Sequence, residues 1–129
     1  LPDRFSVSVH RYGDNTLRTP HKGTVSREDE VAQLRALIGD RTFGVSEFGF
    51  HVAPERKWWQ PRSRRLSDYE QAAYIEQEFL FWEERGAAFA CLFQLNDGPT
   101  NTREHRYGIR RYDAAAVNGI GEWKPSAER

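Results

Sequence analysis

Two kinds of hydrophobic periodicity alternate along this chain, and that alternation limits its folds more than any single residue does. Phe5 to His10 runs apolar, polar, apolar in steps of two, the pattern of a half-buried strand. Residues 26–38 then change period: Val31, Leu34, Leu37 and Ile38 recur at helical spacing. Ser26 offers an N-cap, Glu28, Asp29 and Glu30 suit the positive end of the helix dipole, and Gly39 offers a C-cap. Phe43 to Glu47 reads as a second strand. A second helix is predicted from Ser67 to Arg85. There Ser67 and Glu70 form a capping box, and Ala72, Ile75, Phe79 and Trp82 make an apolar stripe widened by Ala73, Leu80 and Phe81. Ala87 to Leu95 is a near-continuous apolar run, predicted as a strand over 88–95 buried on both faces, with Cys91 in the core. Strand, helix, strand, helix, strand predicts parallel strands with right-handed crossovers, an α/β class that includes doubly wound sheets and barrels.

The segments between are less regular. His51 to Leu66 holds Pro54, the adjacent Trp58 and Trp59, Pro61 and basic residues including Arg62, Arg64 and Arg65; it reads as a long loop. Asn96-Asp97-Gly98-Pro99 is a turn signal, and Asp97 is read as a turn former. Tyr107 to Tyr112 suggests a short extended piece within an otherwise irregular C-terminal segment. No boundary divides the chain, so residues 1–129 read as one domain.

The 19 basic and 19 acidic residues leave no excess charge, which argues against nucleic acid or an anionic membrane as partner. No apolar run approaches the roughly 20 residues of a membrane span. No signal peptide is visible and Leu1 is not a start methionine, so the start reads as processed, truncated or renumbered. A single cysteine allows no internal disulfide and leaves the compartment open. His21, His51 and His105 lack metal-ligand spacing, and there is no phosphate loop or dinucleotide fingerprint; no metal and no cofactor are expected.

Chemistry enters at Glu47. A carboxylate at the end of an apolar strand is costly to bury without partners or a task. Gly49, two residues on, lets the chain leave the strand or lets another group come close. Ser46-Glu47-Phe48-Gly49 closing such a strand resembles the seventh strand of the (β/α)8 retaining glycoside hydrolases of clan A. The order of what surrounds it fits the same family. His10-Arg11-Tyr12 resembles the end of the sixth strand. Phe93-Gln94-Leu95-Asn96-Asp97, then Tyr107-Gly108-Ile109 and Trp123-Lys124-Pro125, resemble the eighth strand and the segment that leads to the last helix.

The resemblance implies a partial (half) TIM barrel, parallel β-α-β-α-β followed by an irregular C-terminal segment. It implies retaining hydrolysis of a β-linked glycoside, with Glu47 as nucleophile and a carbohydrate as substrate or ligand. His10 and Tyr12 would orient Glu47 and contact substrate, Trp58 and Trp59 would stack on sugar rings, and Phe93 stands where the family commonly has a Trp under the sugar. The family's acid/base Glu lies on the fourth strand after an Asn, and no Asn-Glu pair ends a strand here. A TIM barrel typically has about 250 residues and eight strands. The expectation is therefore an isolated chain without turnover, completed as a homo-oligomer, a dimer above all, or by a complementary half-barrel. The alternative is a non-catalytic, self-associating half-barrel with weak carbohydrate binding.

Overall fold

A computed structural model describes residues 7–12, 26–52, 66–100, 102 and 104–127. Strand β1 (Val7–Tyr12) leads to helix α1 (Arg27–Ile38), strand β2 (Phe43–Gly49), helix α2 (Asp68–Glu84) and strand β3 (Ala90–Leu92). Both β1 and β3 pair with β2 in parallel, so β2 is the centre of a three-stranded sheet. A second, antiparallel pair, β4 (Arg110–Tyr112) and β5 (Ile120–Trp123), follows. The tail expected to be irregular is thus a short ribbon.

The helix boundaries follow from local chemistry. The Ser26 hydroxyl accepts from the Asp29 N–H, and Gly39 ends α1 with φ +62°. Ser67 and Glu70 make both bonds of the capping box at α2. Arg35 then knits the two helix ends together. Its guanidinium donates to the carbonyls of Gly39 (3.3 Å), Arg41 (3.1 Å) and Arg85 (3.1 Å), groups that helix geometry leaves without partners.

The core lies between β2 and the helices: Ile38, Phe43, Val45, Phe48, Phe50, Leu66, Ile75, Phe81 and Trp82. The buried stripe of α2 is rotated from the one the apolar residues suggest. Gln71 and Glu78 are buried, whereas Phe79 and Leu80 are partly exposed and Leu37 of α1 points to solvent. Polar partners explain the rotation. Glu78 accepts from Arg27 Nη1 at 3.0 Å and from the Trp82 indole at 2.9 Å. The Gln71 amide donates to the Phe50 carbonyl at 2.7 Å. A buried polar group is tolerated where its bonds are made.

The third strand is corrected most. It spans three residues rather than 88–95, and only Ala90 and Leu92 pack on the core. Cys91 is exposed, as are Phe89 and Leu95, so the run is covered on one face, not two, and Cys91 is not a core residue. Among the described residues no helix is long and apolar enough to cross a membrane.

The ribbon is fastened by a buried ion pair. Lys124 Nζ lies 2.9 Å from the Asp97 carboxylate and donates to the Gly108 carbonyl at 2.8 Å. Asp97 also accepts from the Gly108 N–H at 3.0 Å and from Arg106 at 3.4 Å. Asp97 is therefore the hub of a buried network rather than a turn former. Burial holds the Lys124 ammonium below the ordinary lysine pKa, against the opposing pull of Asp97. Lys124→Met leaves the buried carboxylate only the Gly108 N–H and Arg106 and should cost about 3–5 kcal/mol in chemical denaturation, while Asp97→Leu with Lys124→Met should recover only part of it, because the Gly108 N–H then lacks its acceptor. The folded chain holds this proton less tightly than the unfolded chain. Stability should therefore rise with pH through the alkaline window below 10.5, and the double variant should lose that slope.

Candidate active site

The register of β2 against its neighbours shows how Glu47 is presented. While β1 advances one residue, from Val9 to His10, β2 advances two, from Val45 to Glu47. While β3 advances two, from Ala90 to Leu92, β2 advances three, from Val45 to Phe48. Both neighbours count one residue fewer, so Ser46 is an extra residue, a β-bulge in the central strand. The consequence is a change of phase. Before the bulge the odd residues Phe43 and Val45 face the helices; after it the even residues Phe48 and Phe50 do. Phe43 meets Trp82 edge-on at 6.2 Å, Phe48 meets Phe79 at 4.9 Å, and Phe50 meets Tyr74 at 5.4 Å. In an unbroken strand Glu47 would share the face of Phe43. With the bulge it lies on the opposite, open face.

His10 shares that face. Val7 packs on the core and Val9 pairs with Val45, so alternation turns Ser8 and His10 outward. His10 and Glu47 are register partners, and His10 Nδ1 lies 3.9 Å from a Glu47 carboxylate oxygen. Glu47 is about one-third exposed (32%) and His10 more so (63%). The Ser46 hydroxyl donates to the Val9 carbonyl at 3.3 Å, next to the point where the ladder is interrupted.

Of the two uses open to Gly49, the structure shows the close approach. A Cβ there would collide with the Phe93 carbonyl oxygen and lie 2.9 Å from the Tyr107 ring. Phe93, one residue past β3, donates its N–H to the Phe48 carbonyl at 2.7 Å, and the Phe93–Gln94 peptide is cis. Its ring meets Tyr107 edge-on at 5.7 Å, and Tyr107 meets the buried His51 at 5.4 Å. The two peptides flanking the Gly108 Cα are gripped from three sides: Gln71 faces the Tyr107 and Gly108 carbonyls (3.4 Å each), Asp97 takes the Gly108 N–H, and Lys124 binds the Gly108 carbonyl.

Of the residues singled out in the sequence, His10 and Glu47 are brought together, and Phe93 stands at the same, C-terminal end of the sheet. Tyr12 ends β1 opposite Gly49. Trp58 and Trp59, with Arg62, Arg64 and Arg65, lie outside the described residues. Sequence reasoning passed over Ser46, Tyr107 and Gln71. The shift from Phe43 and Val45 to Phe48 and Phe50 was the available sign of Ser46; Gln71 sat unremarked inside an apolar stripe. Among the described residues, no group of three or more His, Cys, Asp or Glu could hold a metal ion.

Three parallel strands with helical crossovers fit part of a (β/α)8 barrel, and comparison with solved structures gives the same fold class. The chain is similar to a β-glucosidase from Exiguobacterium marinum, with a TM-score of 0.52 and 21% identity over 78% of this chain. It is likewise similar to the GH1 β-glucosidase from Exiguobacterium antarcticum B7, with a TM-score of 0.53 and 23% identity over 78% of this chain. In each case the match spans 23% of the other chain's length. No protein-family model matches the sequence, and no curated protein does.

Gly49→Ala should push the Phe93 carbonyl and the Tyr107 ring away from β2. Thermal unfolding should show a loss of about 1–3 kcal/mol, the usual cost of overpacking, together with altered near-ultraviolet aromatic signals.

Proposed function

We propose that this chain is the nucleophile-bearing part of a glycoside hydrolase-like barrel, its strands β1, β2 and β3 standing as the sixth, seventh and eighth. The observation that carries the reading is the position of Glu47. It lies near the C-terminal end of a central parallel strand, on the face away from the helices, beside His10. Barrel enzymes build their active sites at that end. The fold likeness to β-glucosidases supports the class.

In this reading the Glu47 carboxylate attacks the anomeric carbon of a β-linked glycoside. The glycosidic C–O bond breaks, a glycosyl ester forms on Glu47, and water then cleaves the ester. His10 and Tyr12 orient the carboxylate, Phe93 with Tyr107 forms part of the subsite floor, and Trp58 and Trp59 supply a stacking platform. Leaving-group protonation needs a second carboxyl group about 5–5.5 Å away. The family carries it on the fourth strand, so here it comes from outside this segment.

An activated 2-fluoro glycoside tests the nucleophile by itself, because its leaving group needs no acid. Mass spectrometry should find the sugar on the peptide holding Glu47, and none on Glu47→Gln, whose amide cannot attack. Labelling at another carboxylate would move the nucleophile. The chain by itself should not turn over ordinary glycosides.

The open sheet face favours association as the second part of the reading. Phe89, Cys91 and Leu95 are exposed in and beside β3, and among the described residues β1 and β3 each keep an outer edge in the three-stranded sheet. Unpaired edges and exposed apolar side chains favour a partner, either a second copy or a complementary half-barrel. Light scattering at micromolar concentration should find more than one chain per particle; a stable monomer would leave the self-associating alternative without support.

A further inference from the structure

We infer that Ser46 is a positioning residue: the extra residue it adds to β2 sets the aim of the Glu47 carboxylate and is not needed for the sheet itself. The argument is one of phase. Without Ser46 the strand would read Phe43, Gly44, Val45, Glu47, Phe48, Gly49, Phe50. Strict alternation would then put Phe43, Val45, Phe48 and Phe50 toward the helices and Gly44, Glu47 and Gly49 toward the open face. Those are the faces these residues already occupy across the bulge. The core therefore gains nothing from the insertion.

The insertion has costs. Bulges are rare in parallel pairs, and this one breaks the ladder of a central strand toward both neighbours. The Ser46 hydroxyl offsets part of that by donating to the Val9 carbonyl, which ties the bulge to β1 one residue before His10. A bulge bends its strand and sharpens the local twist, which re-aims the next side chain. That side chain is Glu47, and the strand it is turned toward carries His10, 3.9 Å away.

This inference rests on the reading of Glu47 as the nucleophile, but its test needs no substrate, so a failed labelling and a failed coupling are separate results. The readout is the ring-nitrogen NMR signal of His10 at one fixed pH, compared with and without Glu47→Gln. In the wild-type chain that substitution should shift the His10 signal. Deleting Ser46 should leave the melting temperature unchanged or higher and should diminish the shift, because Glu47 keeps its face and its place opposite His10 but loses the turn that the bulge gives it. Ser46→Ala keeps the extra residue without its hydroxyl and should diminish the shift, and Ser46→Thr should retain it. A deletion that unfolds or strongly destabilises the chain would show that the extra residue serves the sheet and would overturn the inference. An undiminished shift in the deletion or in Ser46→Ala would overturn it too.

Discussion

Three edge-to-face aromatic contacts between β2 and α2 hold the rest of the structure in place: Phe43 on Trp82, Phe48 on Phe79 and Phe50 on Tyr74. Each pair adds roughly 0.5–1.5 kcal/mol to its area burial. Their larger effect is geometric. Residues of opposite parity on β2 face the helices because Ser46 adds one residue between Val45 and Phe48, and the bulge absorbs it without turning the aromatic residues away from the core. With the bulge in place, Glu47 has one side left to face, the open one, where β1 brings His10. The aromatic core and the presentation of the carboxylate are one constraint seen from two faces of a sheet.

The polar side chains inside the molecule act on the same region from behind. Gln71, Asp97 and Lys124 are all buried, and all reach backbone groups of Tyr107 or Gly108. Burying an ammonium and a carboxylate is expensive, and such a pair contributes little net stability against an apolar replacement. What it supplies here is a fixed place for the Gly108 backbone. The residue before it carries the Tyr107 ring, which packs against Phe93 and the glycine two residues beyond Glu47. Arg35, Arg27 and Glu78 serve the helices in the same way, by satisfying groups that would otherwise be buried without bonds.

The open face of the sheet is mixed in character. Ser8, His10, Gly44 and Glu47 make its β1 and β2 portion small or polar, and the exposed apolar residues line up along β3. Phe89 leans over Gly44, where a side chain would block it, so β3 covers part of the face itself.

Local chemistry determined the elements. Ser26 with Asp29, and Ser67 with Glu70, started their helices where the side chains dictate, because capping acts within one turn. The parallel order followed from alternating periods, and Glu47 stood out because a carboxylate ending an apolar strand asks for a reason. What the sequence by itself could not determine depends on neighbours distant in the chain. Residues 88–95 read as covered on both faces because apolar character is a property of the residue, while cover depends on what lies opposite; here β3 is covered on one side, and Cys91 is exposed. Asp97 read as a turn former because its partner Lys124 lies far along the chain and only folding brings the two charges to 2.9 Å. The phase of β2 was written in Phe43, Val45, Phe48 and Phe50, but only packing against Trp82, Phe79 and Tyr74 decided that Phe43, Phe48 and Phe50 face one helix.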